Sequence, residues 1–279
     1  MKFGMNMLLW TGDVTDAHFP ILAKIKQWGF DAAEIALFNT SAEQVKRTRR
    51  ELDSLGLACT TGHIATAETN PISEDASIRS AALNSLKRTI DYTVDLGGSL
   101  VMGPFHSALG RMVGRGRTDQ EWGWCKEYLR AASEHAGQAG VKLSVEPLNR
   151  FECYFLNTNA DANRIVAEVD HPALGYLYDS FHSNIEERDI YTGITENAVG
   201  INHIHISENH RGVPGQGHVH WADTFRGIKA IGYDGYLTIE AFGRALPELA
   251  AATCIWRDLF DSEEQVATEG LAFIKKMLG

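Results

Sequence analysis

Residues 141–179 read VKLSVEPLNRFECYFLNTNADANRIVAEVDHPALGYLYD and contain one complete strand–helix–strand unit. The apolar run Leu143–Glu146 predicts a strand. The cluster Asn157-Thr158-Asn159-Ala160-Asp161 is rich in capping side chains, and it opens a helix expected over 158–169. A second apolar run, Leu174–Tyr178, predicts the next strand.

The same alternation extends to both ends of the chain. Strands are expected at Phe3–Met7, Ala32–Leu37, Ala58–Gly62 and Ser99–Gly103 before this unit, and at His203–Ile206 and Tyr236–Glu240 after it. Helices are expected at 15–28, 41–55, 75–96, 119–139, 186–198, 221–231 and 263–278. Gly29, Gly56, Gly97, Gly140 and Gly232 stand where helices should stop. Eight βα units in 279 residues average about 35 residues each. Strict alternation implies a parallel sheet, and eight units imply a closed (β/α)8 TIM barrel, an α/β fold built as a single domain over 1–279. The alternative is an open doubly wound sheet. A glycine-rich phosphate loop after the first strand would favour it, and none is present.

Composition narrows the partners. Hydrophobic residues make up 44% and charged residues 22%, as in ordinary globular proteins. The net charge of −10, from 26 basic and 36 acidic residues, argues against nucleic acid and against an anionic membrane surface. It leaves neutral small molecules and cations. No apolar run approaches the roughly 18 residues of a membrane span, and the N-terminus reads as a first strand, not a signal peptide. Cys59, Cys125, Cys153 and Cys254 are far apart and form no CxxC pair, so reduced thiols in a cytoplasmic protein are expected.

In such a barrel the active site lies at the C-terminal ends of the strands. The fifth strand ends in Glu146, the sixth in Asp179, the seventh near His205 and the eighth in Glu240. Taken singly, each is an ordinary solvated residue after a strand. On four successive strands they deliver three carboxylates and an imidazole to one rim. Crowded carboxylates raise one another's pKa, and a divalent cation removes the repulsion. This oxygen-rich set with one nitrogen suits Mn²⁺, Mg²⁺ or Co²⁺ better than structural zinc. His203, two residues before His205, is expected one layer deeper as a hydrogen-bonded core histidine. Glu152, His182 and Arg211 follow the same strand ends and could bind hydroxyls or a carbonyl; His63 and His106 end the third and fourth strands and are candidates to face substrate. Arg111, Arg115 and Arg117 are read as a solvated loop or a subunit contact rather than a phosphate clamp.

These residues carry a resemblance. EPLNRFE at 146–152, DSFHSNIEE at 179–187, HISENHRGVPGQG at 205–217, GYDGYLTIEAF at 232–242 and IWRDL at 255–259 resemble the ketose 3-epimerases of the xylose-isomerase-like barrels. Gly4, Trp10, GFDAAEIA at 29–36 and SED at 73–75 extend the match more loosely through the first half. The resemblance implies epimerisation at C3 of free ketoses of the D-tagatose/D-sorbose, D-fructose/D-allulose or L-ribulose type. It implies one divalent ion per subunit, typically Mn²⁺ with Co²⁺ or Mg²⁺ as substitutes, held by Glu146, Asp179, His205 and Glu240. Glu146 and Glu240 would also be the two acid/base carboxylates working through an enediolate. Glu152, His182 and Arg211 would hold the substrate near O1 to O3, and the assembly would be a homodimer or homotetramer.

The chain departs from the best-known members where the pocket meets the distal carbons: Asn6 and Met7 in the first strand, Thr60 in the third, Gly103–Leu109 after the fourth, and SFHSN in place of the commoner TFHMN. Other chemistries on the same scaffold are therefore weighed. One is a hydroxypyruvate-type aldose–ketose isomerase; another is a lyase acting on inosose or 3-keto-glycosides. A related repair nuclease would need three zinc ions and a basic face, which the charge opposes.

Overall fold

In the computed structural model, which describes residues 1–279, eight parallel strands pair in chain order and the last closes on the first. They are β1 (Lys2–Asn6), β2 (Ala32–Ala36), β3 (Ala58–Gly62), β4 (Leu100–Gly103), β5 (Lys142–Val145), β6 (Leu174–Asp179), β7 (Ile201–Ile206) and β8 (Tyr236–Ile239). Between and after them lie α1 (Phe19–Trp28), α2 (Ala42–Leu55), α3 (Ala76–Asp95), α4 (Asp119–Gln138), α5 (Asn159–Val169), α6 (Ser180–Glu186), α7 (Ile190–Thr195), α8 (Trp221–Ala230), α9 (Pro247–Ala252) and α10 (Glu263–Leu278). This is the expected (β/α)8 TIM barrel. No helix is long and apolar enough to cross a membrane.

The helices begin where the sequence supplies caps. Ser41, Asp75, Thr118, Thr158 and Ser262 each accept a backbone N–H of the first turn through a side-chain oxygen. The amphipathic helices bury one face on the barrel, giving a contiguous apolar core that runs between sheet and helices.

Two parts of the pattern come out differently. The helix expected over 186–198 is two short helices, α6 and α7. Asp179 caps α6, which starts at Ser180, six residues earlier than expected, and Asp189 starts α7 by accepting from the Thr192 backbone at 2.7 Å. The segment after β8, where the pattern predicts no helix, contains α9, started by Pro247 in its first turn. Arg111, Arg115 and Arg117 lie on a loop with partners of its own: Arg115 is paired twice to Glu121 at 2.9 and 3.0 Å, and Arg117 reaches Asp161 at 2.6 Å and the Phe155 carbonyl at 2.7 Å.

One glycine sets the spacing of the sheet below the site. Gly103, at the end of β4, has φ +130°, and a Cβ there would lie 2.4 Å from the His63 carbonyl oxygen. Its own carbonyl accepts the Glu146 backbone N–H at 3.0 Å. Gly103→Ala should therefore cost about 1–3 kcal/mol, because both backbone strain and a backbone collision oppose it. The melting temperature should fall by several degrees, at about 2–4 °C per kcal/mol for a chain of this size. A melt within a degree of the wild type would show that the strand can shift freely.

Candidate metal centre

Residues at or beside the C-terminal ends of β5, β6, β7 and β8 converge on one spot. One ligand atom from each of Glu146, Asp179, His205 and Glu240 lies within 4.8 Å of the others, and all four residues are buried. Asp179 uses its two oxygens differently. Oδ1 caps α6, accepting the Phe181 and His182 backbone N–H groups at 2.7 and 3.0 Å. Oδ2 faces His205 Nδ1 at 3.6 Å. Both of these atoms are fully buried and neither has a hydrogen-bond partner. His205 Nδ1 also lies 3.4 Å from Glu240 Oε1.

Two such atoms among buried carboxylates are costly unless positive charge sits between them: a proton on His205 Nδ1 in the metal-free protein, which burial opposes but Glu34 and Glu240 favour by raising the pKa, or a bound cation in its place. The donor set is hard oxygen with one imidazole nitrogen, and it leaves open positions on a six-coordinate ion. The residues present thus fit one divalent metal ion.

Arg211 is the fixed positive charge beside this cluster. Its backbone sits in the left-handed region at φ 62°. Its side chain is buried, donating to Glu240 Oε2 at 2.7 Å and Ser207 Oγ at 3.0 Å, with Asp179 Oδ2 at 3.7 Å. The guanidinium lies 3.7 and 4.9 Å from the ring centroids of Phe181 and Phe242. Burial works against its charge, but Glu240 and Asp179 outweigh burial and raise its pKa. The carboxylates divide in response. Burial and the neighbouring Glu240 push the Glu146 carboxyl well above the ordinary range. Burial also opposes ionisation of Glu240, yet His205 and Arg211 prevail and hold its pKa down.

His182 has a defined tautomer. The Asn149 backbone N–H donates to Nδ1 at 3.0 Å, so in the neutral ring the proton is on Nε2. Burial, reinforced by Arg211, holds its pKa down at about 3, so the ring is neutral. Nε2 lies 3.1 Å from Arg211 Nη2 and 3.7 Å from Glu146 Oε1. Two donors face each other across the 3.1 Å contact, so both look to the cavity for an acceptor oxygen. Glu152, half-buried, accepts from Asn149 Nδ2 at 2.8 Å and lines the same cavity.

That cavity, about 670 Å³ including its mouth, is polar at its floor and apolar on its walls, where Leu8, Phe38, Met102, Leu109, Phe242 and Leu249 line it. His63 lines it too, anchored through Nδ1 to Thr89 Oγ1 at 2.9 Å, and burial lowers its pKa to about 4. His106 does not reach it: its ring packs on Phe155 at 5.8 Å between centroids, with Nδ1 on Ser107 Oγ at 2.9 Å. His203 is the expected core histidine, buried one layer below His205 and paired to a carboxylate.

That carboxylate, Glu34, is the residue the sequence reading missed. It stands in β2 among alanines and an isoleucine and is fully buried. A charge inside an otherwise apolar strand must have partners, and that was the available signal. Its neighbours in register, Asn6 and Thr60, also point to it.

The fold and this site define a class: residues 22–277 match the model of the Xylose isomerase-like TIM barrel family. Within the class, the chain is 30% identical to the ketose 3-epimerase of Arthrobacter globiformis over all of this chain and 97% of that one. It superposes with a TM-score of 0.93 on the D-allulose 3-epimerase from Methylomonas sp. in complex with D-allulose, at 28% identity over 99% of this chain and 97% of that one. It is also 32% identical to the 3-dehydro-D-guloside 4-epimerase of Escherichia coli over 84% of this chain and 92% of that one. The chain belongs to the ketose 3-epimerase family of xylose isomerase-like barrels, and it is an enzyme of the isomerase class.

Proposed function

We propose that the chain epimerises free ketoses at C3, using one divalent ion held by Glu146, Asp179, His205 and Glu240. The observation that carries this reading is the pair of buried, partnerless atoms, Asp179 Oδ2 and His205 Nδ1, facing each other between two further carboxylates. When bound, the ion would polarise the ketose carbonyl and acidify the adjacent C–H; Mn²⁺ is the metal we assign.

The chain's own groups do the rest. Glu146 and Glu240 come from strands separated around the rim and face the cavity from β5 and β8. One takes the C3 proton, and the electron pair moves into the C2–C3 bond and onto the carbonyl oxygen. The other returns a proton to the opposite face of C3, and the roles exchange in the reverse direction. Arg211 helps to keep Glu240 ionised, and the bound ion would offset the burial and carboxylate repulsion that raise the Glu146 carboxyl, bringing it to its ionised ligand form. His182 Nε2–H and the Arg211 guanidinium offer donors to substrate oxygens, and Glu152 accepts from a hydroxyl. The apolar walls exclude water from the reacting carbon.

A second reading has an observation of its own in the 32% identity to the 3-dehydro-D-guloside 4-epimerase. The same two carboxylates would invert C4 of a sugar oxidised at C3. A single experiment separates the two readings. Metal-stripped protein reconstituted with Mn²⁺ is incubated in D₂O with D-fructose, D-tagatose, L-ribulose or a 3-keto-glycoside, and proton NMR follows the exchange. Deuterium at C3 with the epimer appearing, abolished by EDTA and restored by Mn²⁺, is expected. Exchange only at C4 of the 3-keto-glycoside would move the assignment to the second reading. No exchange with any of the four would overturn both.

We also place the protein in the cytoplasm, which suits its four unpaired cysteines, and assign it a homodimer or homotetramer. Phe151 and Trp256, both more than two-thirds exposed on loops at the site's end of the barrel, are suited to burial against a second copy.

A further inference from the structure

We infer that Glu34 is a positioning residue for the metal centre: its carboxylate fixes the tautomer of His205 so that Nδ1 is presented to the ion, and the affinity of the site depends on it. This rests on the metal-binding reading above. Glu34 receives four hydrogen bonds. Asn6 Nδ2 and His205 Nε2 approach Oε1 at 3.0 and 2.7 Å. Thr60 Oγ1 and His203 Nε2 approach Oε2 at 2.9 and 2.7 Å. An ionised carboxylate only accepts, and four donors fill it. Each imidazole must therefore bring its proton on Nε2. For His205 this leaves Nδ1 as the nitrogen facing Asp179 and Glu240. The opposite tautomer would set an Nε2 lone pair against Glu34 Oε1 at 2.7 Å, which is repulsive.

The remaining members of the cluster serve the same end. His203 and Thr60 saturate the second oxygen, so the carboxylate cannot rotate away from His205. Asn6 extends from Glu34 to Glu240 Oε1 at 3.4 Å, tying the brace to a second ligand. Glu34, His203 and His205 could also be viewed as a metal cluster of their own. Their 2.7 Å separations are those of direct hydrogen bonds. Partners of this kind beneath a ligating histidine orient the ring and raise its basicity, and their loss typically costs 10- to 100-fold in metal affinity.

The test is titration of metal-stripped protein with Mn²⁺ by calorimetry. Glu34→Gln keeps the shape but turns one acceptor into a donor, so the two histidines can no longer both donate. The Mn²⁺ Kd should rise by about 10- to 100-fold while the stoichiometry stays at one. Tight Mn²⁺ binding by the wild type with an unchanged Kd in Glu34→Gln would overturn the inference and leave the metal reading intact. No Mn²⁺ binding by the wild type would overturn both. A variant that fails to fold is bypassed by the wild type itself, labelled with ¹⁵N-histidine and saturated with diamagnetic Mg²⁺. The His205 resonances, assigned by their loss in His205→Asn, should show a protonated Nε2 and an unprotonated Nδ1. A deprotonated Nε2 would overturn the inference.

Discussion

Glu146→Gln and Glu240→Gln should each lower the rate of deuterium uptake at the reacting carbon by roughly 10²- to 10⁴-fold, the range for loss of a positioned acid or base. The two variants should differ in everything else. The Glu146 carboxylate accepts no hydrogen bond in the fold; the basic group nearest it is His182 Nε2 at 3.7 Å. Its replacement by an isosteric amide should leave the melting temperature close to that of the wild type. Glu240 anchors Arg211 at 2.7 Å and faces His205 at 3.4 Å, so its replacement leaves a buried guanidinium without its closest carboxylate. Glu240→Gln should thus lose stability as well as activity. NMR exchange rates, metal content and thermal melts measured on the same preparations check this. A Glu146→Gln variant exchanging within tenfold of the wild type would remove Glu146 from the proton-transfer pair.

Arg211→Met should destabilise the metal-free protein by about 3–5 kcal/mol, the cost of leaving a buried charge unpaired. That corresponds to a drop in melting temperature on the order of 10 °C for a chain of this size. Arg211 faces Glu240 and Asp179 at 2.7 and 3.7 Å, and burial prevents water from replacing it. Methionine approximates the length of the side chain and suffers the same positive-φ backbone, so the difference reports mainly the charge. In the binding proposed above, Mn²⁺ would supply positive charge to the same carboxylates. Saturating Mn²⁺ should therefore raise the melting temperature of Arg211→Met by more than it raises that of the wild type. Equal shifts in the two proteins would mean that guanidinium and ion do not share these carboxylates.

The barrel was legible because its punctuation is local. Gly29, Gly56, Gly97, Gly140 and Gly232 all take positive φ at helix ends, and the capping side chains stand just before the first turns. The gathering of Glu146, Asp179, His205 and Glu240 was legible because a parallel barrel sends every strand end to one rim. Three features were not. Asp179 acts as both strand terminus and helix cap, so α6 begins without the usual loop and its residues resemble a polar connection. Asp189 interrupts what looked like one helix. Glu34 was hidden because periodicity marks which face a residue occupies but not which distant residues share it. Its partners come from β1, β3 and β7, separated from it by 26 to 171 residues.

All four candidate ligands stand at the C-terminal ends of β5 to β8, whereas the carboxylate beneath His205 lies on β2, and β8 completes the ring by pairing with β1. A chain made from its N-terminus first exposes four strands that carry none of these ligands. Glu240 arrives only with the last strand, and Glu34 can grip His205 only once the two halves meet. An ion held as proposed would then be captured late in biogenesis, as a seal on the finished ring and not as a seed around which the nascent polypeptide collects.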